Sequence, residues 1–353
     1  MDTRPKVLIV AGESVRERYL TAVELERLKC LADVDLFESE VGGIYQVRED
    51  PDVSRQLAQR LERVEGLMVS SGSPVIDARL MEKAPNLRII GEIEGDRFAG
   101  RIDVEAAWAR GIRAVDTTNG SSYPVAEWAL ALILICLRNA GQHFRRIISR
   151  TMGTLVDWTD PGYVNGELTG KRVGLIGCGH IGRQLIKLLR PFETEIWVHD
   201  PYLTGEMADA VGFLKTSLDN VLTQCDVIVT LVPQTPATEG MIGQRELELI
   251  PDGRVFINVS RGIVVDSEAL LARLKRGGLI AGLDVFDPEP FGDHEITQLE
   301  SVFLSPHIAG VVASSYTQMF KLMVDEFERF FSGHDTLFDL TPRTLDNRRG
   351  NEP

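Results

Sequence analysis

Three polar side chains stand out in this 353-residue chain because of what surrounds them. Arg261 sits in Asn258-Val-Ser-Arg-Gly-Ile-Val-Val-Asp266, Glu289 in Leu283-Asp-Val-Phe-Asp-Pro-Glu-Pro290, and His307 in Leu304-Ser-Pro-His-Ile-Ala-Gly310. Each motif follows a short apolar run that reads as a strand, and ligands of open α/β sheets bind just beyond strand ends. An arginine's planar fork matches a carboxylate bidentately. A histidine trades a proton near neutral pH, and a neighbouring carboxylate favours the imidazolium and readies it as an acid. Each residue alone also admits a plainer reading. Arg261 would then be a surface arginine, Glu289 a turn residue before Pro290, and His307 a loop histidine. Asp266 reads as the N-cap of a helix over 267–276 rather than a catalytic acid, and Lys171 as a solvated strand-edge charge.

A second stretch points to the cofactor. The apolar run from Val173 to Ile176 enters Gly177-Cys-Gly-His-Ile-Gly182, and an apolar-periodic segment follows at once. Strand, glycine turn and helix in that order form a dinucleotide-binding fingerprint. Gly177 permits the turn, Gly179 lets backbone approach a pyrophosphate, and Gly182 allows helix to pack on strand, with the anion at the helix N-terminus. The next strand ends in Asp200, whose carboxylate suits the ribose hydroxyls and repels a 2′-phosphate. The reading is NAD rather than NADP. The alternative is a glycine turn in an unrelated α/β protein.

The elements that must position these residues alternate along the chain. Strands are predicted over 7–11, 34–37, 66–70, 87–91 and 112–115, with helices over 17–31, 53–64, 75–83 and 104–110. One long helix is predicted over 122–150, with Pro124 in its first turn. The segment 150–170 reads as irregular, either a surface loop or an arm packing on a second subunit. Strands over 173–177, 195–199, 226–232, 255–259, 279–285 and 302–305 follow, then a helix over 311–331 and a polar tail over 333–353. Repeated β-α-β units imply a parallel sheet, and the length suits two domains. The division expected is 1–120 with 312–353 in one domain and 121–311 in the other, the second carrying the nucleotide site.

The net charge of −14 argues against nucleic acid or an anionic membrane as a partner. Cys30, Cys136, Cys178 and Cys225 form no CxxC pair, which suits a reducing cytoplasm and argues against a disulfide framework or a metal site. Cys178, inside the glycine loop, reads either as a redox-sensitive thiol or as a small loop-filling residue. No secretory signal is expected from the opening residues, and the longest apolar run, Trp128 to Leu137, is shorter than a membrane span. A soluble protein is expected.

Taken together, Gly177-x-Gly-x-Ile-Gly182, Ser260-Arg-Gly262, Asp284-Val-Phe-x-x-Glu-Pro290 and Pro306-His307 resemble the D-isomer-specific 2-hydroxyacid dehydrogenase family. The likeness covers about 120–310 and extends more loosely over Pro85-Asn-Leu-Arg-Ile-Ile-Gly91 and Ile102-Asp-Val-Glu-Ala-Ala-Trp-Ala-Arg-Gly-Ile112. It implies two doubly wound parallel-sheet domains, a flavodoxin-like substrate domain and a Rossmann NAD-binding domain, with a cleft between them. It also implies a homodimer and hydride transfer between NADH and a 2-oxo acid, giving a D-2-hydroxy acid. In that family's terms Arg261 grips the substrate carboxylate, His307 is the acid–base group and Glu289 tunes it. His180 and Ile181 face the pyrophosphate, and Val232 and Thr238 line the adenosine side. Val259, Ser260, Asp284, Ala309 and Gly310 surround the nicotinamide.

One segment departs from the family pattern. Where a compact glycine-rich turn is usual, this chain has the longer, charged Glu92-Ile-Glu-Gly-Asp-Arg-Phe-Ala-Gly-Arg101. Gly95 keeps the glycine character. Arg97 or Arg101 would bind a second anionic group of the substrate, or both are solvated and balance Glu92, Glu94 and Asp96. Ser71 and Gly72 are the other place where backbone is expected to meet substrate. Rival readings are an NAD(H)-sensing, corepressor-like binding protein, whose relatives keep the same triad, and a phosphite- or formate-oxidising enzyme. Formate-oxidising relatives carry Gln in place of Glu289, and phosphite-oxidising relatives use a Lys where this chain offers Arg97.

Overall fold

Among the described residues, twelve strands form two sheets in which every paired strand runs parallel to its neighbour. The computed structural model describes residues 4–43, 47–95, 100–151, 159, 166–290, 292 and 294–349. The chain divides into two units, Met1–Ser121 with Val312–Leu345, and Ser122–Val311 with Asp346–Pro353.

The first unit holds β1 (Lys6–Ala11), β2 (Asp33–Glu38), β3 (Gly66–Val69), β4 (Ile89–Glu92) and β5 (Arg113–Asp116) in the order β2-β1-β3-β4-β5. Its central strands are continuous apolar runs because both faces are covered. Val7 and Ile9 join Met68, Ile89, Phe320 and Phe327 in one core, while Leu8 and Val10 join Leu57, Leu67 and Ile90 in the other. The Ala313–Phe331 helix supplies Phe320, Met323 and Phe327 to the first of these.

The second unit holds β6 (Arg172–Ile176), β7 (Glu195–His199), β8 (Leu214–Lys215), β9 (Val227–Thr230), β10 (Arg254–Asn258), β11 (Leu279–Leu283) and β12 (Val302–Leu304). Their order is β12-β11-β10-β9-β6-β7-β8. This places the glycine loop after β6 inside the sheet, between β9 and β7, where chain direction across the sheet reverses. Val173, Leu175, Val229 and Ile257 pack against Leu132, Ile133 and Ile186 on one face, and Ile228 and Phe256 against Leu222, Leu247 and Leu270 on the other.

Several predicted elements differ in detail. The helix expected over 122–150 is two helices, Ser122–Leu137 and Ala140–Ile148, because Asn139 turns left-handed at φ 45°. The helix expected over 17–31 is likewise split, since Thr21 is extended and its hydroxyl caps Ala22–Leu31 through the Glu24 N–H. β8 was not anticipated. The tail is not merely polar: Phe338 O accepts the Asp116 N–H at 2.8 Å and Leu340 N donates to Ala114 O at 2.9 Å, which covers the β5 edge. Leu340 and Leu345 are buried there.

The stretch Thr118–Leu137 is long and apolar enough to cross a membrane by composition, with mean hydropathy 1.5, yet half of it is buried inside the protein. Leu132, Ile133 and Cys136 fill the second unit's core, so Ser122–Leu137 is a core helix.

Candidate active site

The glycine loop begins where β6 ends. Gly177 adopts φ 87°, a conformation that L side chains avoid, and its N–H donates to His199 O at 2.8 Å, stitching β6 to β7. A Cβ at Gly177 would also sit 2.9 Å from Val232 Cγ1. At Gly179, in contrast, nothing lies within 4 Å of where a Cβ would be. That open backbone stands at the N-cap of the His180–Leu189 helix, the geometry an approaching pyrophosphate needs. Gly182 lies inside the helix, its absent Cβ only 3.2 Å from Cys178 Sγ.

Asp200 shapes this loop. Its Oδ2 accepts the Cys178 N–H and its Oδ1 the Tyr202 N–H, each at 2.9 Å. Burial pushes the Cys178 thiol up to about 12. A thiol so protonated is a poor redox sensor, which leaves the space-filling reading. Arg183, which sequence reasoning passed over, contacts His180 Nδ1 at 3.2 Å and so brings a guanidinium to the loop. Ile181 packs against the core. The Thr238 hydroxyl closes its own turn, donating to Pro233 O at 2.6 Å and accepting Thr235 N–H at 2.9 Å.

Arg261 is carried by a loop that Asn258 builds. The buried Asn258 Oδ1 accepts Thr230 Oγ1 at 2.8 Å, Ser260 Oγ at 2.9 Å and Ser260 N at 3.1 Å, while its Nδ2 donates to Arg261 O at 3.1 Å. Val259 and Ser260 are buried, and Arg261 emerges beyond them with one guanidinium N–H on Ser260 O.

His307 meets Glu289 directly. Its Nδ1 is 2.8 Å from Glu289 Oε2, and Glu289 Oε1 accepts the Phe286 N–H at 2.7 Å. Both side chains are about one-third exposed, 32% and 33%, so the pair is held yet reachable. Asp284, fully buried, holds the histidine loop. Its backbone O accepts the His307 N–H at 2.8 Å, and its carboxylate accepts Ile308 N at 3.0 Å, Ala309 N at 2.9 Å and Ser305 Oγ at 2.5 Å. Gly310 follows in the same turn. Asp266 caps the Ser267–Arg276 helix through the Ala269 N–H.

In the first unit, the residues predicted to meet substrate gather at the carboxyl ends of β3 and β4. Gly72 and Gly95 both adopt positive φ, 95° and 84°. Ser71 is already engaged: its N–H and hydroxyl both donate to Glu94 Oε2, at 2.5 and 2.6 Å. Arg101 is neither solvated nor open to a ligand. It is fully buried, its guanidinium on the Glu92 carboxylate and on Gly43 O. Arg97 lies outside the described residues. The sequence signal that placed Arg101 at the surface was local charge, which does not reveal a buried partner.

Residues 130–309 match the family described as D-isomer specific 2-hydroxyacid dehydrogenase, NAD binding domain. The chain is 30% identical to a glyoxylate reductase of Pyrococcus furiosus, over 98% of this chain and 96% of that one. It is 31% identical to a D-3-phosphoglycerate dehydrogenase of Archaeoglobus fulgidus over 79% of this chain and 51% of the relative, and 34% identical to one of Methanocaldococcus jannaschii over 71% and 47%. The chain thus spans about half the length of these two relatives. The crystal structure of a phosphoglycerate oxidoreductase from Rhizobium etli is similar at a TM-score of 0.79 and 25% identity, covering 96% of this chain and 98% of that one. With the glycine loop, Asp200 and the His307–Glu289 pair in one unit that the family match spans, the chain belongs to the D-isomer-specific 2-hydroxyacid dehydrogenase family, and its cofactor is NAD.

Proposed function

We propose that this protein interconverts a 2-oxo acid and its D-2-hydroxy acid with NAD(H). The observation that carries the reading is the 2.8 Å contact between His307 Nδ1 and Glu289 Oε2, in the same unit as the glycine loop. Its support from relatives is the names glyoxylate reductase and D-3-phosphoglycerate dehydrogenase.

The tautomer follows from that contact. A carboxylate only accepts, so Nδ1 carries the proton that faces Glu289 and Nε2 is left for the substrate. Protonated, Nε2–H donates to a carbonyl oxygen as reduction places charge there; neutral, Nε2 accepts the hydroxyl proton during oxidation. Arg261 binds the substrate carboxylate through its fork and orients the adjoining 2-oxo carbon. NAD, when bound, would supply or accept the hydride. Gly179 and the first turn of the His180–Leu189 helix would hold its pyrophosphate, Asp200 its adenosine ribose, and Val232 and Thr238 its adenosine side. Val259, Ser260, Asp284, Ala309 and Gly310 would surround the nicotinamide. Ser71, Gly72 and Gly95 are the backbone positions of the first unit proposed to meet substrate. With Arg101 engaged by Glu92, a second anion anchor from this segment rests on Arg97.

A cytoplasmic homodimer goes with this reading. Phe144, Ile147 and Ile148 on the Ala140–Ile148 helix are 63%, 43% and 63% exposed, an apolar face suited to a second copy.

The test is NADH consumption against glyoxylate, hydroxypyruvate, phenylpyruvate, 2-oxoglutarate and 3-phosphonopyruvate, with NADPH in parallel and D-3-phosphoglycerate in the oxidative direction. NADH-specific turnover of one acid, abolished in His307→Ala, supports the reading. Tight NADH binding without turnover of any acid overturns it in favour of a nucleotide-sensing protein.

A further inference from the structure

The histidine loop is anchored from a place remote in sequence. The Trp128 indole N–H, on the Ser122–Leu137 helix, donates to Ser305 Oγ at 3.0 Å, and Ser305 Oγ lies 2.5 Å from Asp284 Oδ1. The polarity of this chain is fixed by its ends. Indole N–H only donates and an ionised carboxylate only accepts, so the serine oxygen takes the first proton and gives its own to Asp284. Asp284 then spreads the constraint, with Oδ1 also on Ile308 N, Oδ2 on Ala309 N, and its backbone O on His307 N. His307 itself is held at φ 52°, a left-handed conformation that non-glycine residues adopt only where the surroundings impose it.

We infer that Ser305 and Trp128 are positioning residues for His307, acting through the buried Asp284 carboxylate. The inference rests on the acid–base role proposed for His307. The hydrogen bonds of both side chains lead to Asp284, not to the His307 ring. What they fix is where the loop presents it, and with it the Nδ1 contact to Glu289. Remove the serine hydroxyl and Asp284 loses its shortest donor, while the Trp128 N–H loses its acceptor. The backbone turn at 307 to 309 then has fewer contacts opposing relaxation of a strained φ. A displacement of about 1 Å at a catalytic group costs up to about 100-fold in rate.

The test compares Ser305→Ala, Ser305→Thr and Trp128→Phe in the full chain. The Thr variant keeps the hydroxyl, and the Phe variant removes the indole N–H while keeping an aromatic ring. Expected for Ser305→Ala is a fall in kcat of about ten-fold or more, with KM for NADH within about two-fold of wild type. Ser305→Thr should return kcat to within about three-fold, and Trp128→Phe should lose about three- to ten-fold. A second readout needs no substrate: the downfield proton resonance of the His307 Nδ1–H, identified by its loss in His307→Ala. It should move or broaden in Ser305→Ala and return in Ser305→Thr. A resonance unmoved in both Ser305→Ala and Trp128→Phe overturns the inference, whatever happens to kcat. If the wild type turns over no 2-oxo acid, the proposed function fails, and the resonance alone still decides whether these residues position the histidine.

Discussion

The Glu289 carboxylate is divided between two partners, with Oε2 2.8 Å from His307 Nδ1 and Oε1 2.7 Å from the Phe286 N–H. The second contact aims the first, because a carboxylate pinned at one oxygen has little freedom at the other. Glu289→Gln keeps the volume but offers one accepting atom for two donors. A charge-assisted hydrogen bond contributes about 1.5–3 kcal/mol, so kcat should fall about 10- to 100-fold. NADH affinity, read by fluorescence titration, should stay near wild type. Unchanged kcat would show that His307 works without its carboxylate.

The same loop is sensitive from below. Gly262, which follows Arg261, packs so closely that a Cβ there would lie 1.8 Å from Phe286 O and 2.5 Å from Asp287 N. Backbone atoms cannot swing aside as side chains do, so Gly262→Ala must move the Phe286–Glu289 segment. The expected outcome is a loss of kcat similar to that of Glu289→Gln, with stability lowered by about 1–3 kcal/mol as for other overpacked sites. Steady-state kinetics and urea unfolding on the same variant check both arms.

The motifs of the candidate site were legible in the sequence because they are local. The Gly177–Gly182 loop, Arg261, Glu289 and His307 each follow a strand whose apolar run is unmistakable, and the parallel sheets follow from their alternation with helices. What stayed hidden depends on distant partners. Trp128 and Ser305 are 177 residues apart, and the indole looks like one more apolar residue in a core helix. The break at Asn139, by contrast, falls in the polar stretch Arg138-Asn-Ala-Gly-Gln-His143, a local signal that a single helix over 122–150 runs through. β8 is two exposed residues with no periodicity. Arg101 reads from sequence as a substrate anchor or a solvated charge because the charges around it are a property of composition, whereas its burial beside Glu92 is a property of the fold.

Burial gives Arg101 a different phenotype from that of a substrate anchor. Its side chain and that of Glu92 are both 0% exposed. Removing one partner of such a pair leaves a buried charge and typically costs about 3–5 kcal/mol, whereas replacing both with apolar residues is often neutral. Arg101→Met should therefore lower the urea midpoint sharply, and adding Glu92→Met should recover much of it. Had Arg101 been a direct anchor, the single variant would raise KM for a dianionic acid at unchanged stability.

One substitution at Asp200 separates poorly its observed contacts from its proposed role, so two are needed. Its oxygens hold the Cys178 and Tyr202 amides, and the same carboxylate is proposed to disfavour a 2′-phosphate. Asp200→Asn keeps one backbone acceptor and removes the charge; Asp200→Ala removes both. Both variants should narrow the preference for NADH over NADPH by about ten-fold or more, the scale of a lost charged contact. Only Asp200→Ala should also raise KM for both nucleotides, through a loosened glycine loop. Retained NADH preference in both variants would place the discrimination elsewhere.

Glu326 makes the pH dependence of the first unit predictable in sign. It is fully buried on the Ala313–Phe331 helix, and its Oε2 accepts Leu337 N at 2.7 Å and Phe338 N at 2.9 Å, tying down the tail that covers β5. Burial raises its pKa above the ordinary 4.5, an effect that these two amide donors only partly oppose. A carboxyl whose pKa is raised by folding binds its proton more tightly in the native state than in the unfolded one. Its contribution to stability is therefore fully present below about 4.5 and declines as pH rises through the raised native value. Glu326→Gln removes that titration. The melting temperature of wild type minus that of Glu326→Gln should thus fall as pH rises from about 4 and level off above the native pKa. A difference that instead grows with pH would mean that the two amide donors outweigh burial at this carboxylate.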